Sequence, residues 1–189
     1  GIESWWSANA TEESRKISQK AVAMILENLG GYLSGDQECA DNMMIGSNLA
    51  GQAINITQTT AAHAMSYKLT SLYKIPHGRA AFVCLPYVWE YMIKNSKDNE
   101  NLTQVFKNIV STLDCKTLWD AVNLLKEMNH ELFGKENVTV NFQDIPLLAR
   151  SVNVTRLKNN PVKLSNQNLI SLYTNILEEF ATGDITVLN

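Results

Sequence analysis

An all-α bundle of about eight helices is the fold this sequence predicts, and three observations carry the prediction. Apolar residues recur at i, i+3 and i+4 along most of the 189-residue chain. Nine glycines and four prolines are few, since the two together average about 12% of residues, so turns are scarce. Only Val138 to Val140 reads as β-like, and no alternation of apolar and polar residues reaches strand length elsewhere.

The elements follow in order. Ile2, Glu3, Trp5 and Trp6 open the chain with an apolar segment that has no initiating Met and no capping residue, and it reads as a cut end. Its tryptophans are expected on a surface left bare by a missing partner, favouring self-association; the alternative is insertion into the core. Residues 11 to 29 place Ile17, Ala21, Val22, Ile25 and Leu29 on one helical face, with Gly30 and Gly31 as the expected stop. A second long helix runs from Asp36 to about Gln58. It is rich in small residues and is expected to be central and buried. A third spans about Thr60 to Tyr73 and stops before Pro76, which disfavours helix in the residue before it. Arg79 to about Lys94 is expected to kink near Pro86. Further helices are predicted at Asn99 to Leu113, Lys116 to Phe133, Gln143 to Asn153 and, capped by Ser165, to about Phe180.

Composition narrows the function. Sixteen Lys and Arg against nineteen Asp and Glu give a formal charge of −3, and no basic patch is present to attract nucleic acid. No apolar run approaches the roughly 20 residues of a membrane span. Cys39, Cys84 and Cys115 stand far apart without CxxC pairing, which suits reduced thiols and a cytoplasmic setting. Asn-x-Ser/Thr triplets at Asn9, Asn55, Asn101, Asn137 and Asn153 are incidental in so Asn-rich a chain. With no repeat and no linker composition, residues 1–189 are read as one domain.

The chemistry-bearing residues cluster. Of three histidines, His63 and His77 fall within HAMSYKLTSLYKIPHG, residues 63–78, and His130 lies on an amphipathic helix as a surface residue. Pro76 breaks the helix between the first two, so His77 is able to fold back towards His63. Imidazole suits zinc and ferrous iron, yet a tight site needs at least three protein ligands. From the residues alone, two readings stand: hydrogen-bonded core histidines, or two ligands of a metal centre. Lys68 and Arg79 flank the pair and offer cations for an anionic substrate group, or simply surface charge.

The run AINITQTTAAHAMSYKLTSLYKIPHGRAAFVCLP, residues 53–86, resembles the metal-binding signature of the iron-containing (group III) alcohol dehydrogenases. DIPLLARSVNVTRLKNNPVKLSNQNLISLYTNIL, residues 144–177, is similar to that family's C-terminal pattern, an Asn-Pro turn before the last helix. The resemblance implies the helical C-terminal domain shared with dehydroquinate synthase-like enzymes. It further implies that the amino-terminal nucleotide-binding domain, with the first two metal ligands, lies upstream of Gly1. Glu3 resembles the Glu that follows the first ligand His by three residues. The forms AHAMSY and IESWWS look more narrowly like the phosphonoacetaldehyde reductase subgroup.

The resemblance thus implies that His63 and His77 hold Fe²⁺ or Zn²⁺, that NAD(P)H is the hydride donor, and that the partner is a small aldehyde or alcohol. Lys68 or Arg79 would hold a phosphonate. We expect a homodimer in the complete enzyme and no activity from this chain alone. Where many family members carry a second His near the nicotinamide, this chain has Tyr67, and a phenol is a poorer proton shuttle at neutral pH than an imidazole. A non-enzymatic helical scaffold and a glycerol dehydrogenase-like enzyme are the competing readings.

Overall fold

In the computed structural model, residues 1–134 and 138–181 are described. The elements are α1 (Ile2–Trp6), α2 (Glu12–Leu33), α3 (Gln37–Thr57), α4 (Ala61–Tyr73), α5 (His77–Asn95), α6 (Glu100–Thr112) and α7 (Leu118–Phe133). A 3₁₀ turn (Phe142–Asp144) and the helices α8 (Ile145–Arg150), α9 (Val154–Leu157) and α10 (Asn166–Ala181) complete the order. Among the described residues there is no strand, so Val138 to Val140 runs as an irregular connection with Val140 buried. Asn137 lies outside the described residues.

Local chemistry sets the helix ends. Thr11 and Ser14 form a reciprocal capping box at α2, and Thr117 and Asp120 do the same at α7, each closing two backbone donors that the helix cannot satisfy. Ser165 and Asn168 bond reciprocally before α10. Pro86 falls inside α5, where its missing N–H leaves the ladder one bond short.

At α2 the structure departs from the expected stop. The helix passes through Gly30 and Gly31 and ends near Gly35, which turns the chain at φ 88. Gly31 serves close approach: a Cβ there would sit 2.3 Å from Cys39 Sγ on α3. Gly46 does the same from the other side, its Cβ position 2.9 Å from Ile25 Cγ1. The small residues therefore join α3 tightly to α2, but only on one face. Contrary to expectation, α3 is not central; it buries Gly46, Ala53 and Thr57 while Met44 and Ile45 are exposed.

The core sits on α5, which packs against α4, α7 and α10. Trp5 and Trp6 are buried within it, so the expectation of exposed tryptophans is corrected: α1 is an anchor, not a bare edge. Trp6, Trp89 and Phe106 form an aromatic triangle with ring centres 5.8 to 6.2 Å apart, the tilted and edge-on arrangements such rings favour. Gln143 to Asn153, expected as one helix, is a 3₁₀ turn followed by α8. The Asn153 side chain accepts from the N–H groups of Thr155 and Arg156, a local cap that ends one helix and starts α9.

The two tryptophans differ in one respect that can be measured. Trp6 Nε1 donates to Thr60 Oγ1 at 3.0 Å, whereas Trp89 Nε1 has no hydrogen-bond partner among the described residues. Replacement by Phe should cost more at Trp6, where a buried hydrogen bond is lost, than at Trp89, where an orphaned donor is removed, by about 1–3 kcal/mol. Urea unfolding of W6F and W89F checks this; equal losses would contradict it.

Candidate metal and substrate site

The site begins with a carboxylate buried at the start of the chain. Glu3, on α1, is 5% exposed and is carried into the core by Trp5 and Trp6 behind it. Helix α4 has no side-chain cap of its own at Thr60, and Glu3 fills that role from a different helix. Its Oε1 accepts from Thr60 N at 3.1 Å, Thr60 Oγ1 at 2.7 Å and His63 N at 3.3 Å. A carboxylate is favoured there, because unsatisfied N–H groups make a helix N-terminus positive.

The other oxygen, Oε2, contacts His63 Nδ1. Burial would raise the Glu3 pKa, but the hydrogen bonds and charge of His63 and the Thr60 hydroxyl outweigh it and hold it below 4.5. An ionised carboxylate only accepts, so Nδ1 carries the proton and His63 Nε2 is the nitrogen left for a ligand.

His77 opens α5 just after the Pro76 break, and its ring lies edge-on to His63 with centres 5.3 Å apart. The folding back allowed by Pro76 therefore takes place. Ser66 gives its single hydroxyl proton to the His63 carbonyl at 2.8 Å, so the longer 3.4 Å contact has His77 Nδ1 donating to Ser66 Oγ. Both imidazoles are held at Nδ1. Burial lowers the His77 pKa, and the neighbouring charges of His63 and Arg156 lower it further against the pull of Glu3. Tyr67, one turn after His63, stacks on His77 at 5.2 Å and 19°. An apolar groove of about 270 Å³ reaches Glu3 and His63 between Ile25, Phe82, Leu85 and Met128.

The profile of the Fe-containing alcohol dehydrogenase family, C-terminal, matches residues 1–177. The chain belongs to that family. Among its relatives, the NADPH-dependent butanol dehydrogenase of Clostridium saccharobutylicum is 30% identical over 118 residues, covering 61% of this chain and 30% of the relative. The lactaldehyde reductase of Escherichia coli K12 is 25% identical over 185 residues, 91% of this chain and 47% of that enzyme. A solved iron-containing alcohol dehydrogenase from Thermotoga maritima superposes with a TM-score of 0.72 at 26% identity, over 94% of this chain and 46% of that one. The chain thus spans less than half the length of these relatives.

In this alcohol dehydrogenase domain the two candidate ligands are brought together, while Arg79, one of the two candidate cations, is directed elsewhere. The Arg79 guanidinium lies 5.4 and 5.5 Å from the Phe133 and Phe180 ring centres and donates to the Phe133 carbonyl, so its charge faces α7 and α10. Lys68 is half-buried on α4, about 100° round the helix from Tyr67. His130 is exposed on α7. The cation beside the histidines is Arg156, from α9, which was not singled out in the sequence. Its Cζ lies 4.9 Å from the Tyr67 ring centre, and its Nη1 donates to Thr59 Oγ1 at 3.1 Å. A single Arg ninety residues downstream carries no spacing signal that would have found it.

Two imidazoles with fixed tautomers suit a divalent transition metal. Among the described residues, however, no group of three His, Cys, Asp or Glu side chains gathers to hold one.

Glu3 makes stability depend on pH. Its folded pKa lies below the unfolded value of about 4.5, so its contribution is present above that value and lost as the pH falls through the folded one. Glu3→Gln should cost about 1–3 kcal/mol at pH 7, and the gap to wild type should narrow on acidification below about 4.5. Urea unfolding of both proteins from pH 7 to pH 3 tests this; a gap independent of pH would contradict it.

Proposed function

We propose that this chain is the helical metal- and substrate-binding part of an NAD(P)-linked alcohol dehydrogenase or aldehyde reductase, with His63 and His77 among the ligands of Fe²⁺ or Zn²⁺. The observation that supports it is the Glu3-oriented His63 facing His77, in a chain whose family is the iron-containing alcohol dehydrogenases. A divalent metal held by His63 and His77 would supply Lewis acidity at a carbonyl oxygen, and a bound nicotinamide would supply the hydride.

The chain's own residues do the positioning. Glu3 keeps the His63 proton on Nδ1 and fixes the ring; Ser66 holds His77 in the same sense. The stacked Tyr67 covers one face of His77 and limits its reorientation. The apolar groove ending at Glu3 and His63 gives the His63 ring an apolar side. A nucleotide-binding domain would provide the nicotinamide and the remaining ligands. The finer reading is reduction of phosphonoacetaldehyde to 2-hydroxyethylphosphonate, supported by the AHAMSY and IESWWS forms and by a cation beside the histidines.

Two outcomes are expected. Purified residues 1–189 bind Zn²⁺ or Fe²⁺ only weakly, because two imidazoles make a poor site; micromolar binding abolished by His63→Ala in a calorimetric titration would overturn this. In the complete gene product, H63A and H77A lose bound metal by elemental analysis together with NAD(P)H-dependent aldehyde reduction, and Glu3→Gln weakens metal affinity by about 10- to 100-fold. Full metal content in H77A would remove His77 from the ligand set.

A further inference from the structure

We propose that the concavity beside Arg156 is an anion subsite that selects short aldehydes carrying a negatively charged group, a phosphonate or a carboxylate. The inference rests on the aldehyde reductase reading above and names the substrate class of that site.

Arg156 is half-buried, and among the described residues no carboxylate lies within ion-pairing reach of it. One of its five N–H donors goes to Thr59, and its plane is carried over Tyr67. The remaining donors form the fork that matches a carboxylate or phosphonate with two parallel bonds. The concavity, about 490 Å³, is lined by neutral hydrogen-bonding side chains including Asn55, Gln58 and Thr155, with no acidic residue. The apolar groove has the opposite character: Glu3 lies at its end, and a carboxylate there repels an anion.

The subsite is built, not incidental. Asn159 donates to the Thr59 carbonyl at 3.1 Å and to Gln58 Oε1 at 3.2 Å, and its own Oδ1 accepts from Asn9 at 2.9 Å, which ties the segment after α9 to the wall it faces. Gln58 is held at φ 59 and ψ 174, a conformation that a residue with a side chain adopts only when its surroundings impose it.

Distance fits the chemistry. Contacts of 5.2 and 4.9 Å through Tyr67 put Arg156 Cζ no more than about 10 Å from the His77 ring centre. A short molecule can therefore place its anionic end at Arg156 and its carbonyl at the histidines.

The test has two arms. In the complete gene product, kcat/KM is measured with NAD(P)H for butanal, succinic semialdehyde and phosphonoacetaldehyde, in wild type, R156Q and R156K. The wild type is expected to favour at least one anionic aldehyde over butanal, which also tells carboxylate from phosphonate. R156Q should lower the ratio of anionic to neutral kcat/KM about tenfold or more, chiefly through KM, and R156K should recover part of it. A ratio unchanged in R156Q, or a wild type that prefers butanal, overturns the proposal. In the second arm, methylphosphonate and acetate are titrated into residues 1–189 while the Arg156 and His77 side-chain NMR signals are followed. Saturable shifts lost in R156Q support the subsite; their absence overturns it. If no aldehyde is reduced at all, the dehydrogenase reading fails, and the anion subsite is decided by this titration alone.

Discussion

A buried carboxylate holds the site together. Glu3 brings a negative charge out of water, which is tolerable only because both oxygens are used: one closes the N-terminus of α4 and the Thr60 hydroxyl, the other meets His63. The same contacts do structural and chemical duty. They dock a five-residue helix too short to be stable alone, satisfy the start of the helix that carries His63, and choose which imidazole nitrogen is left for a ligand. The aromatic triangle behind it explains why the docking holds, since Trp6 bonds the very hydroxyl that Glu3 accepts from. Removing Glu3 or Thr60 takes away a buried hydrogen-bond partner of the others, so fold and site are energetically coupled at this point.

The second constraint is the Pro76 break between α4 and α5. A continuous helix would carry His63 and His77 almost four turns apart; Pro76 ends that course, and α5 packs back against α4 with its first residue at the ring of His63. Every other component arrives from elsewhere in the chain: Glu3 from α1, Arg156 from α9, and the groove wall from α2 and α7. The helices thus act as a rigid frame, while the site is gathered at their ends.

This division explains what was legible in the sequence. Helical periodicity and capping chemistry are local, so α2 to α7 and α10 could be read to within a few residues, and the His63–Pro76–His77 spacing is itself a local motif. What escaped depends on contacts between distant segments. Gly30 and Gly31 read as a stop because the cost of Gly in a helix is local, whereas the close packing of Cys39 that offsets it is not. The small-residue face of α3 signalled tight packing correctly, but not that only one side of the helix would be covered. Trp5 and Trp6 were legible as apolar and not as buried, since nothing in six residues tells a core anchor from a bare surface. Proximity along the chain favoured Lys68 and Arg79 as cations of the site; the Arg79 guanidinium is instead turned to the Phe133 ring and carbonyl.

Tyr67 gains meaning from its neighbours. A protonated imidazole in its place would meet the Arg156 guanidinium as a like charge. A phenol carries no positive charge at any pH. It offers an aromatic face to the guanidinium and to the His77 ring together, so cation–π attraction replaces repulsion. Tyr67 and Arg156 are therefore best understood as a pair: the aromatic ring makes a fixed arginine compatible with a histidine 5.2 Å from that ring. The arrangement places a permanent cation against the ring that stacks on His77.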